Sequence, residues 1–275
     1  MSPKPQHASG YLPTQTILVR KLCLYVATKL GDLCEEIVVI GGLVPSLIVD
    51  LREDVEPHTG TMDLDLGLGL ALLDASRYKE VAIRLRDAGF APDRNDRGVP
   101  IRQRWRFGGA TLDFLIAPTL PTDKGGRLRD LEPDFAAFII PGLHLAFADR
   151  LRVRLQGTTI RGEVAEREMW VCGPGAYTVL KALAFDGRGE NKDAYDLFYV
   201  LQYFGTSIAD VHARLVPLIE DSYTQRGLEV LARDFLVVEG VGPRRVADFV
   251  HGAPNPALQA DVVGAVRALL ARCGR

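Results

Sequence analysis

Residues 60–66 read Gly-Thr-Met-Asp-Leu-Asp-Leu, and this stretch is the strongest indication of the fold. Side chains two residues apart on a β-strand point to the same face, so Asp63 and Asp65 would lie side by side while Leu64 and Leu66 fill the opposite face. Two such carboxylates repel unless a cation lies between them. Hard divalent ions such as Mg²⁺ are bound by carboxylates together with substrate phosphates, which indicates phosphoryl or nucleotidyl transfer. Solvated surface strands also carry alternating acids, and this alternative stays open.

A glycine turn precedes this strand in the chain. Residues 35–40 read Glu-Glu-Ile-Val-Val-Ile, which is typical of a buried strand, and Gly41-Gly42 follows before a predicted helix. Glycines in this position let backbone amides approach a phosphate closely. A tight strand-to-helix connection without a ligand would use the same residues. The glycine pair therefore indicates a phosphate-binding turn only together with the acids that follow.

A third acid, Asp113, lies on a predicted hairpin. Residues 101–107 and 110–116 both alternate between polar and apolar side chains, and two glycines separate them. Pairing Phe107 with Ala110 places Arg104 opposite Asp113, so arginines would flank a carboxylate that completes the metal site. Ordinary cross-strand ion pairs on a solvent face would look the same, and a slip of one residue would reverse the assignment.

Taken together, these residues resemble the DNA polymerase β-like nucleotidyltransferase superfamily. The resemblance rests on a glycine pair after the first strand, Asp-x-Asp on the second, and a carboxylate on a later strand. It implies that Asp63, Asp65 and Asp113 bind Mg²⁺ or Mn²⁺ and that all three act in catalysis. It also implies that the phosphates of a nucleoside triphosphate lie by the glycine turn. The superfamily usually has Gly-Ser where this chain has Gly41-Gly42.

A second group of residues narrows the resemblance. Lys181 and Arg188 are seven residues apart, so they would share a helical face, and Lys192 and Asp196 are spaced i to i+4. With Asp193, this pattern is similar to nucleotidyltransferase toxins of the AbiEii/AbiGii type, which are related to the MenT toxins. The resemblance implies that Lys181 contacts phosphate and that Asp193 or Asp196 supports catalysis or orients the two cations. The triphosphate-binding residues implied are Gly41, Gly42, Thr61, Lys181 and Arg188. Read without the family, the segment is two amphipathic helices with surface ion pairs.

Composition fits an intracellular enzyme. The chain has 275 residues, 47% of them hydrophobic, and a formal net charge of −2. This balance argues against a generic nucleic-acid coat protein. The sequence shows neither a signal peptide nor a membrane anchor, so we expect a cytoplasmic protein. The scattered cysteines indicate reduced thiols, and the sequence suggests no partner for His58.

The predicted fold class is α+β, with a mixed-sheet polymerase β-like nucleotidyltransferase core followed by a C-terminal helical domain. Residues 1–12 are predicted to be a flexible N-terminus, 13–172 the sheet domain with a lead-in helix at 13–34, and 173–275 the helical domain. A helix is predicted at 76–89. Further strands are predicted around 143–148, 153–155 and 169–171. The predicted helices of the last domain are 177–185, 192–204, 208–219, 228–238, 243–250 and 256–272.

The sequence therefore predicts a metal-dependent nucleotidyltransferase that uses a nucleoside triphosphate. The family resemblance implies a tRNA 3′ end as acceptor and the role of a toxin that blocks translation, restrained by a cognate antitoxin protein. Two alternatives remain open: a transferase that modifies a protein side chain, and a catalytically inactive binding module of the same fold. The residues do not indicate which nucleotide is used.

Overall fold

The computed structural model of the protein describes residues 5–53, 55–69 and 75–275. Nine strands are present in these residues, and all of them belong to one sheet. In chain order the strands are β1 (Ile37–Ile40), β2 (Asp63–Leu68), β3 (Ala91–Arg94), β4 (Pro100–Phe107), β5 (Ala110–Ile116), β6 (Leu128–Glu132), β7 (Phe135–Ile139), β8 (Arg150–Thr158) and β9 (Val164–Cys172).

The same residues contain α-helices and short 3₁₀ helices. In chain order the α-helices are α1 (Pro13–Leu30), α2 (Pro45–Ile48), α3 (Ala75–Asp87), α4 (Leu145–Ala148), α5 (Pro174–Arg188), α6 (Asn191–Tyr203), α7 (Ile208–Leu215), α8 (Ser222–Asp234), α9 (Val241–His251) and α10 (Pro256–Arg272). The 3₁₀ helices are Ala8–Gly10, Gly31–Glu36, Gly41–Leu43 and Val216–Leu218. Within these described ranges, every helix is too short or too polar to cross a lipid bilayer.

The described chain forms two compact units. The sheet unit comprises Pro13–Val44 and Gly60–Cys172, and the helical unit comprises residues 5–12, Pro45–Thr59 and Gly173–Arg275. The helical part begins after Cys172, where the sequence placed its boundary. Residues 45–59 pack with the helical unit, however, although the sequence analysis assigned them to the sheet domain.

The sheet mixes parallel and antiparallel pairs, which confirms the α+β class. Its strand order is β3-β4-β5-β2-β1-β9-β8, with β7 pairing with both β5 and β6. Strand β2 runs parallel to β5, and β1 runs parallel to β9. Neighbouring β1 and β2 are antiparallel. The central strands are therefore β2 and β5, which carry the Asp-x-Asp pair and the third acid.

The hairpin of β4 and β5 has the predicted register. Phe107 pairs with Ala110 and Arg104 pairs with Asp113. The alternation of β5 is complete, because Leu112, Phe114 and Ile116 are buried and the residues between them are half-buried. Trp105 is fully buried on the same side and packs edge-on against Phe114. One buried face thus fixes the register.

Helix α1 covers part of this sheet, and it contacts β8 and β9 among other strands. Its fully buried side chains are Val19, Leu22, Cys23, Val26 and Leu30. Gly31 ends the helix with a φ of 57°, a conformation that glycine adopts readily at a helix C-terminus. The predicted lead-in helix over 13–34 is therefore an α-helix that continues as a 3₁₀ helix. The predicted helix at 76–89 is confirmed as α3.

The prediction of a strand around residues 143–148 is wrong. Leu145–Ala148 forms the short helix α4, and Gly142 precedes it with a φ of 81°. Leu143, Leu145 and Ala146 are all buried. A short, mostly apolar run has no period that separates a strand from a helical turn. The strands predicted at 153–155 and 169–171 are confirmed within β8 and β9.

The helical unit includes two segments from the first part of the chain. An apolar cluster joins them to the helices, formed by Tyr11, Val49, Val55, Tyr195, Tyr199 and Phe249. Tyr199 also donates a hydrogen bond from its hydroxyl to the carbonyl oxygen of Glu56 at 2.8 Å. The flexibility predicted for residues 1–12 stays a prediction for residues 5–12, in which Tyr11 is buried, and residues 1–4 lie outside the described chain.

Candidate functional site

Asp63, Asp65 and Asp113 lie together on two neighbouring parallel strands. The register pairs Asp65 of β2 with Asp113 of β5, and Asp63 lies two residues before Asp65 on the same face. One carboxylate oxygen from each of the three residues lies within 4.8 Å of the others. Asp63 is buried, at 4% exposure, and the other two are half-buried. We call these residues the acid trio.

The glycine turn lies directly against the acid trio. Ile40, the last residue of β1, pairs with Asp65, and Gly41 follows with a φ of 71°. A Cβ atom at Gly41 would overlap the carboxylate of Asp65. Both the backbone conformation and the lack of a side chain are therefore required at Gly41. Gly42 is buried in the 3₁₀ turn that follows.

Arg104 places its guanidinium among the acid trio. Its Nε donates to Oδ1 of Asp113 at 2.6 Å, and its Nη2 donates both to Oδ2 of Asp113 and to Oδ2 of Asp63, the latter at 3.2 Å. The hydrogen bonds to Asp113, together with the charges of the trio, raise the pKa of Arg104 despite its burial. The sequence predicted the pairing with Asp113 but not the reach to Asp63.

Thr61 supports Asp63 from the residues that lead into β2. Its hydroxyl donates to the backbone oxygen of Asp63 at 3.1 Å and lies 3.3 Å from Oδ1 of the same residue. Its own backbone amide donates to the hydroxyl oxygen of Thr16 at 3.1 Å. Thr61 is buried, so its hydroxyl is used to orient Asp63. The phosphate contact implied for Thr61 by the resemblance stays a prediction.

In the helical unit, Lys181 lies between two buried carboxylates. Its Nζ donates to Oδ1 of Asp193 at 2.9 Å and to Oδ2 of Asp196 at 2.7 Å. Burial lowers the pKa of Lys181, but the attraction of the two carboxylates outweighs it and the pKa is raised. Burial also acts against ionisation of Asp193 and Asp196, yet the neighbouring cations hold the pKa of both below the usual value. We call the set around these three residues the buried ion network.

Two more cations complete this network. Arg188 forms a two-pronged pair with Asp193, through Nε at 2.6 Å and Nη2 at 2.8 Å. Lys192 donates to Oδ1 of Asp196 at 2.6 Å, at the i to i+4 spacing that the sequence suggested. Burial lowers the pKa of Lys192, with Asp196 offsetting part of that effect. Of these cations, Arg188 has the most exposed side chain, at 57%.

Sequence reasoning missed His58 as a member of the buried ion network. Its Nε2 donates to Oδ1 of Asp196 at 2.8 Å, and its ring stacks on Tyr195 with centroids 5.2 Å apart. Burial lowers the pKa of His58 to about 4, so at neutral pH it is a neutral donor rather than a cation. Residues 58 and 196 are far apart in sequence, and no local pattern links them.

The structure thus assembles the predicted site residues into two groups. The sheet unit brings together Gly41, Gly42, Thr61 and the acid trio, and the helical unit brings together Lys181, Arg188, Asp193 and Asp196. Comparison of the sequence with protein-family models gives no match, and comparison with curated proteins gives none either.

The acid trio fits a divalent metal ion in its donor chemistry. Carboxylate oxygens are the ligands that Mg²⁺ and Mn²⁺ prefer, and three of them converge here from two adjacent parallel strands. The trio already attracts a cation, since Arg104 contacts two of its members. Asp63, Asp65 and Asp113 could therefore hold a metal ion.

Proposed function

We propose that this protein is a metal-dependent nucleotidyltransferase. It would transfer a nucleoside monophosphate from a nucleoside triphosphate to an acceptor hydroxyl, and pyrophosphate would leave. The observation that carries the proposal is the convergence of Asp63, Asp65 and Asp113 on adjacent parallel strands, with the Gly41 turn against Asp65. In full, we propose that the sheet unit is a polymerase β-like nucleotidyltransferase core of the AbiEii type. The order of these motifs in the sequence supports this proposal.

Each candidate site residue in the sheet unit has a defined role in this proposal. Asp63, Asp65 and Asp113 would hold Mg²⁺ or Mn²⁺, whose chemistry is to neutralise charge on the phosphates and lower the pKa of a bound hydroxyl. Thr61 would keep Asp63 in its rotamer through the hydrogen bonds already present. Gly41 and Gly42 would present backbone amides to the phosphates. Asp113 would help to activate the acceptor hydroxyl.

The helical unit offers two cations for an anionic substrate. The resemblance assigns both Lys181 and Arg188 to the phosphates. Arg188 is the better candidate of the two, because its side chain is largely exposed while Lys181 is buried and paired with Asp193 and Asp196. Lys181 would then act chiefly by holding the two carboxylates that position Arg188 and Lys192.

The acceptor and the biological role in this proposal come from the family resemblance. We propose that the acceptor is the 3′ end of a tRNA and that its modification blocks translation. The protein would be the toxin of a toxin-antitoxin pair, and a cognate antitoxin protein would restrain it. A protein side chain carries the same kind of nucleophile, so the experiment must separate labelled RNA from labelled protein.

The test is transfer of label from each radiolabelled nucleoside triphosphate, in the presence of Mg²⁺ and total tRNA. Asp63→Asn is the test variant, because it keeps the size of the side chain and removes the negative charge. Asp93→Asn is the matched control, since Asp93 pairs with Arg106 on the same strand that carries Arg104. We expect the first variant to lose at least about 100-fold in rate and the second to stay within about twofold of the parent.

Each outcome has a clear meaning. Label on RNA that depends on Asp63 supports the proposal as stated. Label on protein alone keeps the transferase assignment but replaces the acceptor. Absence of transfer with every nucleotide, with both acceptors present, would argue for an inactive binding module and against the proposed function.

A further inference from the structure

Arg104 occupies a position within the acid trio that no other arginine of its strand shares. It contacts both oxygens of Asp113 and one oxygen of Asp63. Its side chain is 15% exposed, so these bonds are shielded from water on most sides. Charge-assisted, two-pronged pairs of this kind are among the stronger hydrogen bonds in proteins. The guanidinium is therefore a firmly held cation.

The neighbouring arginines on the same face of β4 behave differently. Arg102 pairs with Asp130 at 2.9 Å, and Arg106 pairs with Asp93 at 3.4 Å. Their side chains are more exposed, at 37% and 54%, and their partners lie outside the acid trio. Alternation along β4 places all three arginines on one face. Strand β2, the parallel neighbour of β5, brings a second carboxylate, that of Asp63, only to Arg104 among them.

Arg104 holds both oxygens of Asp113 and Oδ2 of Asp63, and both residues are proposed metal ligands. Two of the three proposed ligands, Asp63 and Asp113, thus accept hydrogen bonds from the guanidinium in this structure. A divalent ion on the same carboxylates would lie next to a fixed positive charge, and like charges repel strongly in a partly buried setting. Binding of the ion and the present arrangement of Arg104 therefore oppose each other.

We propose that Arg104 is a built-in competitor of the divalent metal. It neutralises the acid trio when no metal is bound, and it must release Asp113 and Oδ2 of Asp63 before a metal can occupy those oxygens. This inference rests on the proposed function, because it concerns the same metal site. The consequence is a threshold: the site fills only when the free metal concentration is high enough to displace the guanidinium.

The test is Mn²⁺ binding to the whole 275-residue chain, measured through the electron paramagnetic resonance signal of the Mn²⁺ that stays free. The variants are Arg104→Gln, Arg104→Lys and, as matched control, Arg106→Gln. We expect Arg104→Gln to lower the Kd by about tenfold or more, the factor that corresponds to one charge-assisted hydrogen bond. Arg104→Lys keeps the charge without the two-pronged geometry, so its gain should be smaller. Arg106→Gln should stay within about twofold of the parent.

Thermal unfolding gives a second readout that does not depend on activity. Without metal, in EDTA, Arg104→Gln should have a lower Tm than the parent, because the trio has lost its counterion. Saturating Mn²⁺ should then raise the Tm of Arg104→Gln by more than it raises that of the parent. If Arg104→Gln does not fold without metal, Arg104→Lys carries the comparison, since it leaves a cation beside the carboxylates.

The failure of this inference can be told apart from failure of the proposed function. If the parent binds Mn²⁺ and Asp63→Asn does not, but Arg104→Gln binds no tighter than the parent, the competitor role is overturned while the metal site stands. If neither the parent nor Arg104→Gln binds Mn²⁺, the metal site itself is overturned, and both proposals fall together.

Discussion

Arg104 and Asp113 lie directly opposite each other on neighbouring strands and are joined by a two-pronged pair, with Nε of Arg104 2.6 Å from Oδ1 of Asp113. The same guanidinium reaches Asp63 on the next strand. This one side chain links β4, β5 and β2 at the point where the acids converge. The guanidinium offsets part of the repulsion between three carboxylates that lie this close together in a partly buried place.

Gly41→Ala should disturb both the fold and the acid trio. The substitution requires a non-glycine residue at a φ of 71°, and its Cβ would overlap the carboxylate of Asp65. Gly108→Ala is the matched control, because Gly108 has a φ of 56° and no atom within 4 Å of the added Cβ. The free energy of unfolding of the control should fall by about 1–2 kcal/mol from backbone strain alone. For Gly41→Ala it should fall by roughly 1–3 kcal/mol more, because of the overlap with Asp65.

Urea unfolding measures these two losses, and Mn²⁺ binding measures the effect on the trio. We expect Gly108→Ala to bind Mn²⁺ like the parent and Gly41→Ala to bind it much more weakly. Equal unfolding free energies for the two variants would mean that Asp65 moves aside at no cost, which would contradict the close fit seen here.

Lys181→Met should destabilise the helical unit rather than act only on nucleotide binding. It removes the cation shared by Asp193 and Asp196, both of which are buried. Breaking a buried pair costs about 3–5 kcal/mol, and the value here should be near the lower end because Arg188 and Lys192 still pair with these acids. Urea unfolding of the full chain gives the measurement.

The control for Lys181 is Arg226→Met in the same unit. Arg226 pairs with Asp186 at 2.8 Å, but its side chain is 61% exposed, and exposed pairs contribute about 0–1 kcal/mol. A loss for Lys181→Met as small as that of the control would show that the buried network adds little to stability. That result would again favour direct contact of Lys181 with the phosphates.

Stability should depend on pH through His58. Burial lowers its pKa in the folded protein to about 4, whereas the unfolded chain should have the ordinary value of 6.5. The unfolded state therefore binds a proton first as the pH falls. The stability that the neutral, buried His58 contributes is fully present above pH 6.5. The free energy of unfolding then falls between pH 6.5 and 4, by as much as about 3 kcal/mol. The charged groups that act on the ring are Asp196, Lys192 and Lys181, and the rings of Tyr195 and Tyr199 pack against it.

His58→Gln isolates this effect, because glutamine can donate a hydrogen bond but does not titrate in this range. The unfolding free energies of the parent and the variant should converge as the pH falls from 7 to 4.5. A measurement at pH 8 serves as the internal control, since His58 is neutral there in both states. A constant difference across this range would contradict the assigned pKa.

Features that depend on neighbours in the chain could be predicted from the sequence. Alternation along β2 and β5 indicated which side chains face the core, and the glycine pair between β4 and β5 set their register, so Arg104 was expected opposite Asp113. The helical periodicity after residue 173 predicted the helices of the last part, although α8 begins and ends earlier than expected. The short, mostly apolar run at 143–148 has no such period, and there the prediction is wrong.

Local periodicity in this sequence thus determined the type of most elements and the pairing within the β4–β5 hairpin. Only the tertiary structure decided other meetings of distant residues: Gly41 against Asp65, Arg104 against Asp63, and His58 against Asp196. The physical reason is that alternation and capping arise from a few adjacent residues. Contacts between distant segments instead depend on how the whole chain buries its apolar surface and pairs the charges left inside.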